Sequence, residues 1–221
     1  MRAVTFDFFG TLAHHRAGHG RGAELRAYLA GAGLDADPWE HGVLYEVFER
    51  FADAYDAALD GGTRSARGVE LARFLFERIR VRRTVGGGST DPSEHAEAIS
   101  TLMGPRAFAL FDDVLPTLRD LLVWGLRLGV IPDWRRGLAH FCDALGIGPY
   151  VDAVVASAEV GFEKPDPRLL EAAQVRLGVP ADETLHVGDS ALDVEGAGAA
   201  GCAAVLLARG GEPPARGPWC G

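Results

Sequence analysis

Three acids and one lysine of this chain could form a charged reaction site: Asp7, Asp189, Asp193 and Lys164. Asp7 directly follows an apolar run, so a strand would present its carboxylate at the strand's tip. Carboxylates that cluster raise one another's pKa unless a cation neutralises them. Mg²⁺ is the usual cation for a site made only of oxygen ligands. If these side chains meet, they predict a magnesium site.

The lysine is informative by its rarity. Lys164 is the only lysine among the 22 Lys and Arg residues of the chain. An ammonium group is a compact point charge, whereas a guanidinium group is a planar fork. A chain that uses arginine for almost every cation would keep a lysine where a point charge is needed. This argument does not depend on the spacing of the acids.

Five short apolar runs predict the strands that would position these residues. The runs are continuous rather than alternating, which suits a parallel sheet covered on both faces. Because helical patterns lie between the later runs, the sequence predicts an α/β fold with a doubly wound, Rossmann-like parallel sheet. The predicted strands are Ala3–Phe6, Leu128–Ile131, Ala153–Ala156, Thr184–Val187 and Ala203–Leu207, and the predicted helices are Pro116–Arg127, Arg135–Leu145, Pro167–Leu177 and Ala191–Ala200.

The polar residues follow the ends of the predicted strands. Asp7 follows the first strand, Pro132-Asp133 the second, and Asp189 the fourth, while Lys164 lies in the loop after the third. Ligands of an open parallel sheet bind beyond the carboxyl ends of its strands. Each residue alone could instead be a turn residue, a helix cap or a surface charge. Their shared position predicts that they converge on one crevice.

Residues 15–110 interrupt the alternation of strands and helices. Asp37-Pro38-Trp39-Glu40 and Asp91-Pro92-Ser93-Glu94 are helix starts, with a cap, a proline and an acid, and Ala66–Arg83 has one apolar helical face. The segment is predicted to contain helices only. The sequence therefore predicts an α/β core domain of residues 1–14 plus 111–221, with residues 15–110 as an inserted helical domain.

Composition narrows the class of protein. The 48% apolar content predicts a soluble globular protein, and the formal net charge of −9 argues against nucleic acid as a partner. No apolar run is long enough for a membrane span, and no signal-peptide pattern is expected at the N-terminus. The three cysteines show no metal-binding spacing, so reduced thiols and a cytoplasmic location are expected. A monomer and a homodimer are both compatible with the sequence.

Three motifs resemble those of the haloacid dehalogenase (HAD) superfamily of hydrolases. They are Asp7-x-x-Gly10-Thr11-Leu12, the loop Ser157–Pro167 (SAEVGFEKPDP) and His186–Ala197 (HVGDSALDVEGA). The inserted helical segment resembles the cap domain of that superfamily. The resemblance spans nearly the whole chain, and the last two motifs in this order are highly specific.

The resemblance implies roles for individual residues. Asp7 would be the nucleophile that forms an aspartyl intermediate, Thr11 would orient it, and Lys164 would stabilise its charge and that of a substrate phosphoryl group. Gly10 and the backbone N–H of Asp133 would contact the substrate, a small phosphorylated molecule. The implied Mg²⁺ ligands are Asp7, the backbone carbonyl of Phe9 and Asp189, with Asp193 in support.

Two residues depart from the pattern of the superfamily's phosphatases. Those enzymes have an aspartate at position 9, which protonates the leaving oxygen and later activates water. Phe9 can do neither, and loss of general acid–base catalysis costs about 10²–10⁴-fold in rate. Pro132 replaces a Ser or Thr that hydrogen-bonds the phosphoryl group, and proline offers neither a hydroxyl nor an N–H. An ester with a poor leaving group should therefore react slowly.

Three functions remain open at this point. The first is a Mg²⁺-dependent phosphatase of a small phosphorylated metabolite. The second is a 2-haloacid dehalogenase, because such relatives also lack an acid at position 9, although Asp189 and Asp193 would repel a haloacid carboxylate. The third is a non-catalytic relative that binds a phosphorylated ligand or a protein partner.

Overall fold

The computed structural model describes residues 1–16, 21–39, 43–44, 46–47, 50, 61–134 and 136–209. Its contacts divide the chain into two compact units. The first unit contains Met1–His14 and the chain from Leu110 onward, and the second contains His15–Ala109.

The described residues form short strands and helices in both units. The strands are β1 (Ala3–Phe6), β2 (Ala13–His15), β3 (Leu34–Asp35), β4 (Arg82–Arg83), β5 (Phe108–Leu110), β6 (Arg127–Val130), β7 (Ala153–Val154), β8 (Thr184–Gly188) and β9 (Ala203–Leu206). The α-helices are α1 (Arg21–Gly31), α2 (Gly61–Arg78), α3 (Pro92–Met103), α4 (Val114–Val123), α5 (Leu138–Ala144), α6 (Ser157–Val160), α7 (Pro167–Leu177) and α8 (Ala191–Ala199).

The first unit is built on a five-stranded sheet in the order β7-β6-β1-β8-β9, and every neighbouring pair is parallel. The central strand is β1, where Phe6 pairs with Val130 on one side and with Val187 on the other. All four residues of β1 are buried, because a central strand of a parallel sheet is covered on both faces. The predicted parallel α/β fold is confirmed.

Helix α7 has the bounds predicted for it. The Asp166 side chain accepts a hydrogen bond from the Arg168 N–H at 3.0 Å, Pro167 opens the helix, and Gly178 follows it in the left-handed region at φ 65°. Its buried face, including Leu169, packs in a cluster with Ile131. This packing fixes the start of the helix, and therefore the loop that carries Lys164, beside the sheet.

Other boundaries in the first unit differ from the prediction by a few residues. The predicted helix Pro116–Arg127 is wrong at both ends, since α4 begins at Val114 and Gly125, at φ 77°, turns the chain into β6. The predicted strand Ala153–Ala156 pairs only at Ala153 and Val154. The first residue of the predicted helix Arg135–Leu145, Arg135, lies outside the described residues. The helix found in this segment, α5, begins at Leu138.

The second unit packs its helices around one apolar cluster. Leu25 of α1, Leu75 of α2 and Ile99 of α3 are fully buried in it. Asp91 caps α3 as predicted, since its carboxylate accepts a hydrogen bond from the Ser93 N–H at 2.9 Å. The other predicted helix start, Asp37 to Glu40, ends on a residue outside the described ones. Beyond it, residues 43–44, 46–47 and 50 are helical.

The prediction that residues 15–110 contain helices only is wrong, because β3 and β4 form an antiparallel pair. The predicted helix Ala66–Arg83 instead begins by Gly61 and ends at Arg78. The Val81 N–H bonds to the Phe76 carbonyl and the Arg80 N–H to the Glu77 carbonyl, which is a Schellman motif. Arg80 takes the left-handed position, at φ 51°, that glycine usually occupies. This helix end therefore carries no glycine signal in the sequence.

Among the described residues, every helix is too short or too polar to cross a membrane.

Candidate active site

Strand β1 delivers Asp7 to the carboxyl edge of the sheet. The Asp7 N–H continues the strand pairing by donating to the Val187 carbonyl at 2.9 Å. The residue is 8% exposed, so one part of its carboxylate still reaches solvent. A buried central strand holds its terminal residue rigidly, which is the property that a nucleophile needs.

The turn after Asp7 is shaped by Gly10. Gly10 has φ 86°, and its N–H donates to the Ala13 carbonyl at 2.8 Å. A Cβ atom at this position would lie 2.2 Å from Asp189 Oδ2. Because a side chain would collide with Asp189, only glycine allows the two loops to approach this closely. Thr11 Oγ1 donates to Asp189 Oδ1 at 3.4 Å and links the same two loops.

Lys164 lies between two buried carboxylates. Its Nζ atom donates to Asp7 Oδ1 at 2.6 Å and to Asp193 Oδ1 at 2.5 Å. The three side chains are 3%, 11% and 2% exposed in the order Lys164, Asp7, Asp193. Short, charge-assisted hydrogen bonds of this kind are strong where water is excluded.

The loop that carries Lys164 is held by Asp133. The Lys164 N–H donates to Asp133 Oδ1 at 2.8 Å, and the Lys164–Pro165 peptide bond is cis. The sequence predicted a substrate contact through the backbone of Asp133 and missed this role of its side chain. No local signal could have revealed it, since the two residues are 31 positions apart.

Asp193 is fully occupied by hydrogen bonds. Its Oδ1 accepts from Lys164 and from His186 Nε2, the latter at 3.2 Å, and its Oδ2 accepts from the backbone and hydroxyl of Ser190. Ser190 and Asp193 form the capping box that starts α8. Because a carboxylate only accepts, His186 Nε2 carries the proton and its Nδ1 accepts from Thr5 Oγ1 at 2.9 Å. His186 is thus a buried histidine with a hydrogen-bond partner at each ring nitrogen.

Burial and charge shift the pKa values of these groups in opposite directions. Burial raises the pKa of Asp7 to about 6, although the charge of Lys164 lowers it and that of Asp193 raises it. Burial also raises the pKa of Asp189. Asp193 is buried too, but hydrogen bonds from His186 and the charge of Lys164 hold its pKa well below the usual range. Burial lowers the pKa of Lys164, but the charges of Asp7 and Asp193 outweigh this and raise it.

Of the three aspartates predicted to hold Mg²⁺, only two have carboxylates available to bind a cation. Burial raises the pKa of both Asp7 and Asp189, and a cation beside them would favour their ionised forms. Asp193 has its oxygens engaged elsewhere. Within the described ranges, no three His, Cys, Asp or Glu side chains form a metal-binding group. The carboxylates of Asp7 and Asp189 would thus be the side-chain donors for a cation, and a site with so few protein ligands would have room for water ligands.

The two departures from the superfamily pattern occupy different environments. The Phe9 side chain is 45% exposed beside the turn that Asp7 enters. Pro132 is buried, and its carbonyl accepts a hydrogen bond from the Ser157 N–H at 3.3 Å. Phe9 is therefore an exposed apolar residue two positions after the predicted nucleophile, whereas the Pro132 carbonyl supports the loop structure.

Arg209 is a residue at the site that sequence reasoning missed. It follows β9, and its Nη2 donates to the Thr11 carbonyl at 2.7 Å while its Nη1 pairs with Asp113 at 2.5 Å. Its guanidinium carbon lies 4.1 Å from the centre of the Phe111 ring. Arg209 thereby supports the turn that contains Gly10 and Thr11, although it stands 198 positions away in sequence.

Comparisons with known proteins identify similar chains. The haloacid dehalogenase-like hydrolase family model matches residues 1–201. A glyceraldehyde 3-phosphate phosphatase of Methanopyrus kandleri is 31% identical, over 95% of this chain and 85% of that protein. Two solved structures are an HAD phosphatase from Thermococcus onnurineus (TM-score 0.59, 23% identity, 99% and 90% of the chains) and a 2-haloacid dehalogenase from Pseudomonas syringae pv. Tomato DC3000 (TM-score 0.55, 25% identity, 96% and 90%).

Proposed function

The chain belongs to the haloacid dehalogenase-like hydrolases, and from that premise we propose that it is a Mg²⁺-dependent phosphohydrolase of small phosphorylated molecules. One observation carries the proposal: the Lys164 ammonium group bridges the Asp7 and Asp193 carboxylates, while Asp189 packs against the Gly10 turn. This arrangement sets a carboxylate beside a fixed cation at the carboxyl edge of the sheet, where ligands of such folds bind. The phosphatase named among the relatives supports the same class of reaction.

The reaction begins at the Asp7 carboxylate. An oxygen of Asp7 attacks phosphorus while the bond from phosphorus to the leaving oxygen breaks, which forms an aspartyl phosphate and releases the leaving group; the Lys164 ammonium group stabilises the negative charge on the phosphoryl oxygens. Thr11 and the Gly10 turn hold Asp189 close to the nucleophile. Asp7, the Phe9 carbonyl and Asp189, supported by Asp193, would hold Mg²⁺, which would neutralise the carboxylates and the phosphoryl group. Water then attacks phosphorus, the bond from phosphorus to the Asp7 oxygen breaks, inorganic phosphate and a proton are released, and the Asp7 carboxylate is restored.

The domain assignment follows from the same proposal. Residues 1–14 plus 111–221 form the HAD-like core, and residues 15–110 form the cap domain that sets substrate specificity. We further propose that the substrate is a small phosphorylated molecule and that the protein acts in the cytoplasm as a monomer or a homodimer.

The test is phosphate release from 4-nitrophenyl phosphate with and without Mg²⁺. We expect Mg²⁺-dependent turnover that Asp7→Asn abolishes, because the amide of asparagine is a poor nucleophile. Arg67→Gln is the matched control, since Arg67 forms an exposed pair with Glu70 in the second unit. The absence of turnover under both conditions would contradict the proposal.

A 2-haloacid dehalogenase is the second candidate. Phe9 favours it, because a halide leaves without a proton, and a solved 2-haloacid dehalogenase shares the fold. Asp189 and Asp193 argue against it through repulsion of a haloacid carboxylate. Halide release from 2-chloropropionate in EDTA would favour the dehalogenase over the phosphatase.

The third candidate is a non-catalytic relative that binds a phosphorylated ligand or a protein partner. The double variant Phe9→Asp, Pro132→Ser distinguishes it from the enzyme. A wild-type protein without activity and a variant with phosphatase activity would identify an intact architecture that has lost catalysis.

A further inference from the structure

The superfamily's phosphatases have an acid at position 9 that protonates the leaving oxygen, and this chain has Phe9 there. Phe9 is 45% exposed and stands two residues after Asp7, and a hydrocarbon ring can neither give a proton to a departing oxygen nor take one from water. An alkoxide is a very poor leaving group at neutral pH unless it is protonated as it departs. A carboxylate or a phenolate departs as a stable anion.

Three other proton-bearing side chains among the described residues near Asp7, those of Lys164, His186 and Thr11, are engaged with fixed partners. Both carboxylates that contact Lys164 hold its ammonium group, which is 3% exposed. His186 is fully buried, and its Nε2 proton points to Asp193. The Thr11 hydroxyl donates to Asp189. These three side chains therefore serve charge and position rather than proton delivery.

We infer that this site takes phosphoryl donors whose leaving group departs as a stable anion, namely acyl phosphates and aryl phosphates, in preference to alkyl phosphomonoesters. The inference rests on the proposed function, with Asp7 as the nucleophile, and specifies its substrate class.

The chemistry of the first step balances without an acid. An Asp7 oxygen forms a bond to phosphorus while the bond from phosphorus to the leaving oxygen breaks. That oxygen keeps the electron pair and departs as a carboxylate or phenolate. The product is an aspartyl phosphate on Asp7.

The second step lacks a base at position 9. Water attacks phosphorus, the bond from phosphorus to the Asp7 oxygen breaks, and the proton of the water goes to solvent. Because Phe9 cannot remove that proton, the aspartyl phosphate should persist longer than in a variant with an acid there.

The experiment is a leaving-group series at fixed Mg²⁺. We would measure kcat/KM for acetyl phosphate, 4-nitrophenyl phosphate, phenyl phosphate and glyceraldehyde 3-phosphate with wild type, Phe9→Asp and Phe9→Asn. Asparagine matches aspartate in size but supplies no acid or base. We expect kcat/KM of wild type and Phe9→Asn to fall by at least about 10²-fold from the first donor to the last, and Phe9→Asp to narrow that range to about tenfold.

A second readout does not depend on turnover. With acetyl phosphate and Mg²⁺, intact-mass spectrometry should detect phosphorylated wild-type protein, and less of it in Phe9→Asp. If kcat/KM of the wild type varied across the donors as little as that of Phe9→Asp, the inference would be overturned and the proposed function would remain intact. No reaction and no phosphorylated protein with any donor would contradict both.

Discussion

Lys164 neutralises two buried carboxylates at once, since its ammonium group donates to both Asp7 and Asp193. It is the one lysine of the chain, and one acceptor lies at the end of β1 while the other lies in the first turn of α8. A guanidinium group in its place would present a longer, planar fork to acceptors arranged around a single point. The rarity of lysine in the sequence and the geometry of the site thus both indicate that position 164 needs a compact point charge.

Removal of that charge should destabilise the protein. We expect Lys164→Met to lower the free energy of unfolding by about 3–5 kcal/mol in EDTA at pH 7, because two buried carboxylates lose their cation. Arg2→Met, which breaks the exposed pair with Glu183, should cost about 0–1 kcal/mol. Urea denaturation measures both changes. Equal effects of the two variants would refute the role assigned to Lys164.

The raised pKa of Asp7 predicts how stability depends on pH. Its value in the folded protein is about 6, against an ordinary 3.8. The folded state therefore binds the proton more tightly, so this contribution to stability is present below about pH 4 and is lost as the pH rises through 6.

Asp7→Asn removes that titration. In EDTA, the stability of the variant relative to wild type should be about 3 kcal/mol more favourable at pH 8 than at pH 4. Urea denaturation at both pH values measures the difference. A relative stability that is the same at the two pH values would show that Asp7 titrates normally.

Gly10 combines a left-handed backbone with a close contact, and the two can be separated. Gly125 has a similar φ of 77°, but among the described residues a Cβ atom there would meet nothing within 4 Å beyond its chain neighbours. Gly125→Ala should therefore cost only the backbone strain, about 1–2 kcal/mol. Gly10→Ala should cost more and should also displace Asp189, which weakens Mg²⁺ binding. Urea denaturation and a Mg²⁺ titration by calorimetry test both effects; Mg²⁺ affinity unchanged in Gly10→Ala would contradict the placement.

At the scale of secondary-structure elements, the site depends on connections between chain segments that are distant in sequence. The end of β9 supports the turn after β1 through Arg209, and the loop after β6 holds the loop after α6 through Asp133. Each connection uses a side chain to satisfy a backbone group that the turns leave without a strand partner.

The Arg209 connection can be tested directly. We expect Arg209→Ala to lower the free energy of unfolding by about 1.5–3 kcal/mol, because the Thr11 carbonyl loses a charged donor. It should also lower kcat/KM by loosening the turn. Arg67→Ala, which removes an exposed pair, is the control for loss of a surface charge. Stability equal to that of the control would show that the contact contributes nothing.

The elements that the sequence predicted well have local signals. Strand β1 and helix α7 have their predicted bounds, because a continuous apolar run marks the one and an Asp-Pro start with a following glycine marks the other. The end of α2 at Arg78 was missed because arginine replaces the usual glycine in its Schellman motif. The roles of Asp133 and Arg209 were missed because hydrogen bonds between distant residues leave no pattern in the sequence.

At the scale of the whole molecule, the charged residues of one unit account for the chemistry proposed. The first unit contains Asp7, Lys164, Asp189 and Asp193 and positions them from three segments: the turn after β1, the loop after α6, and the segment after β8 that enters α8. The family assignment comes from the comparison over residues 1–201, and the proposed restriction to good leaving groups comes from Phe9. Fold and family thus define the class of reaction, while a single side chain defines its range.

The most direct measurement traps the covalent intermediate on the nucleophile. Wild-type protein would be mixed with acetyl phosphate and Mg²⁺, treated with borohydride, digested and mapped by mass spectrometry. Reduction of an aspartyl phosphate converts that residue to homoserine, and the account predicts homoserine at position 7, in the peptide that also contains Phe9 and Gly10. An unmodified Asp7 under these conditions, or modification at another residue, would contradict it.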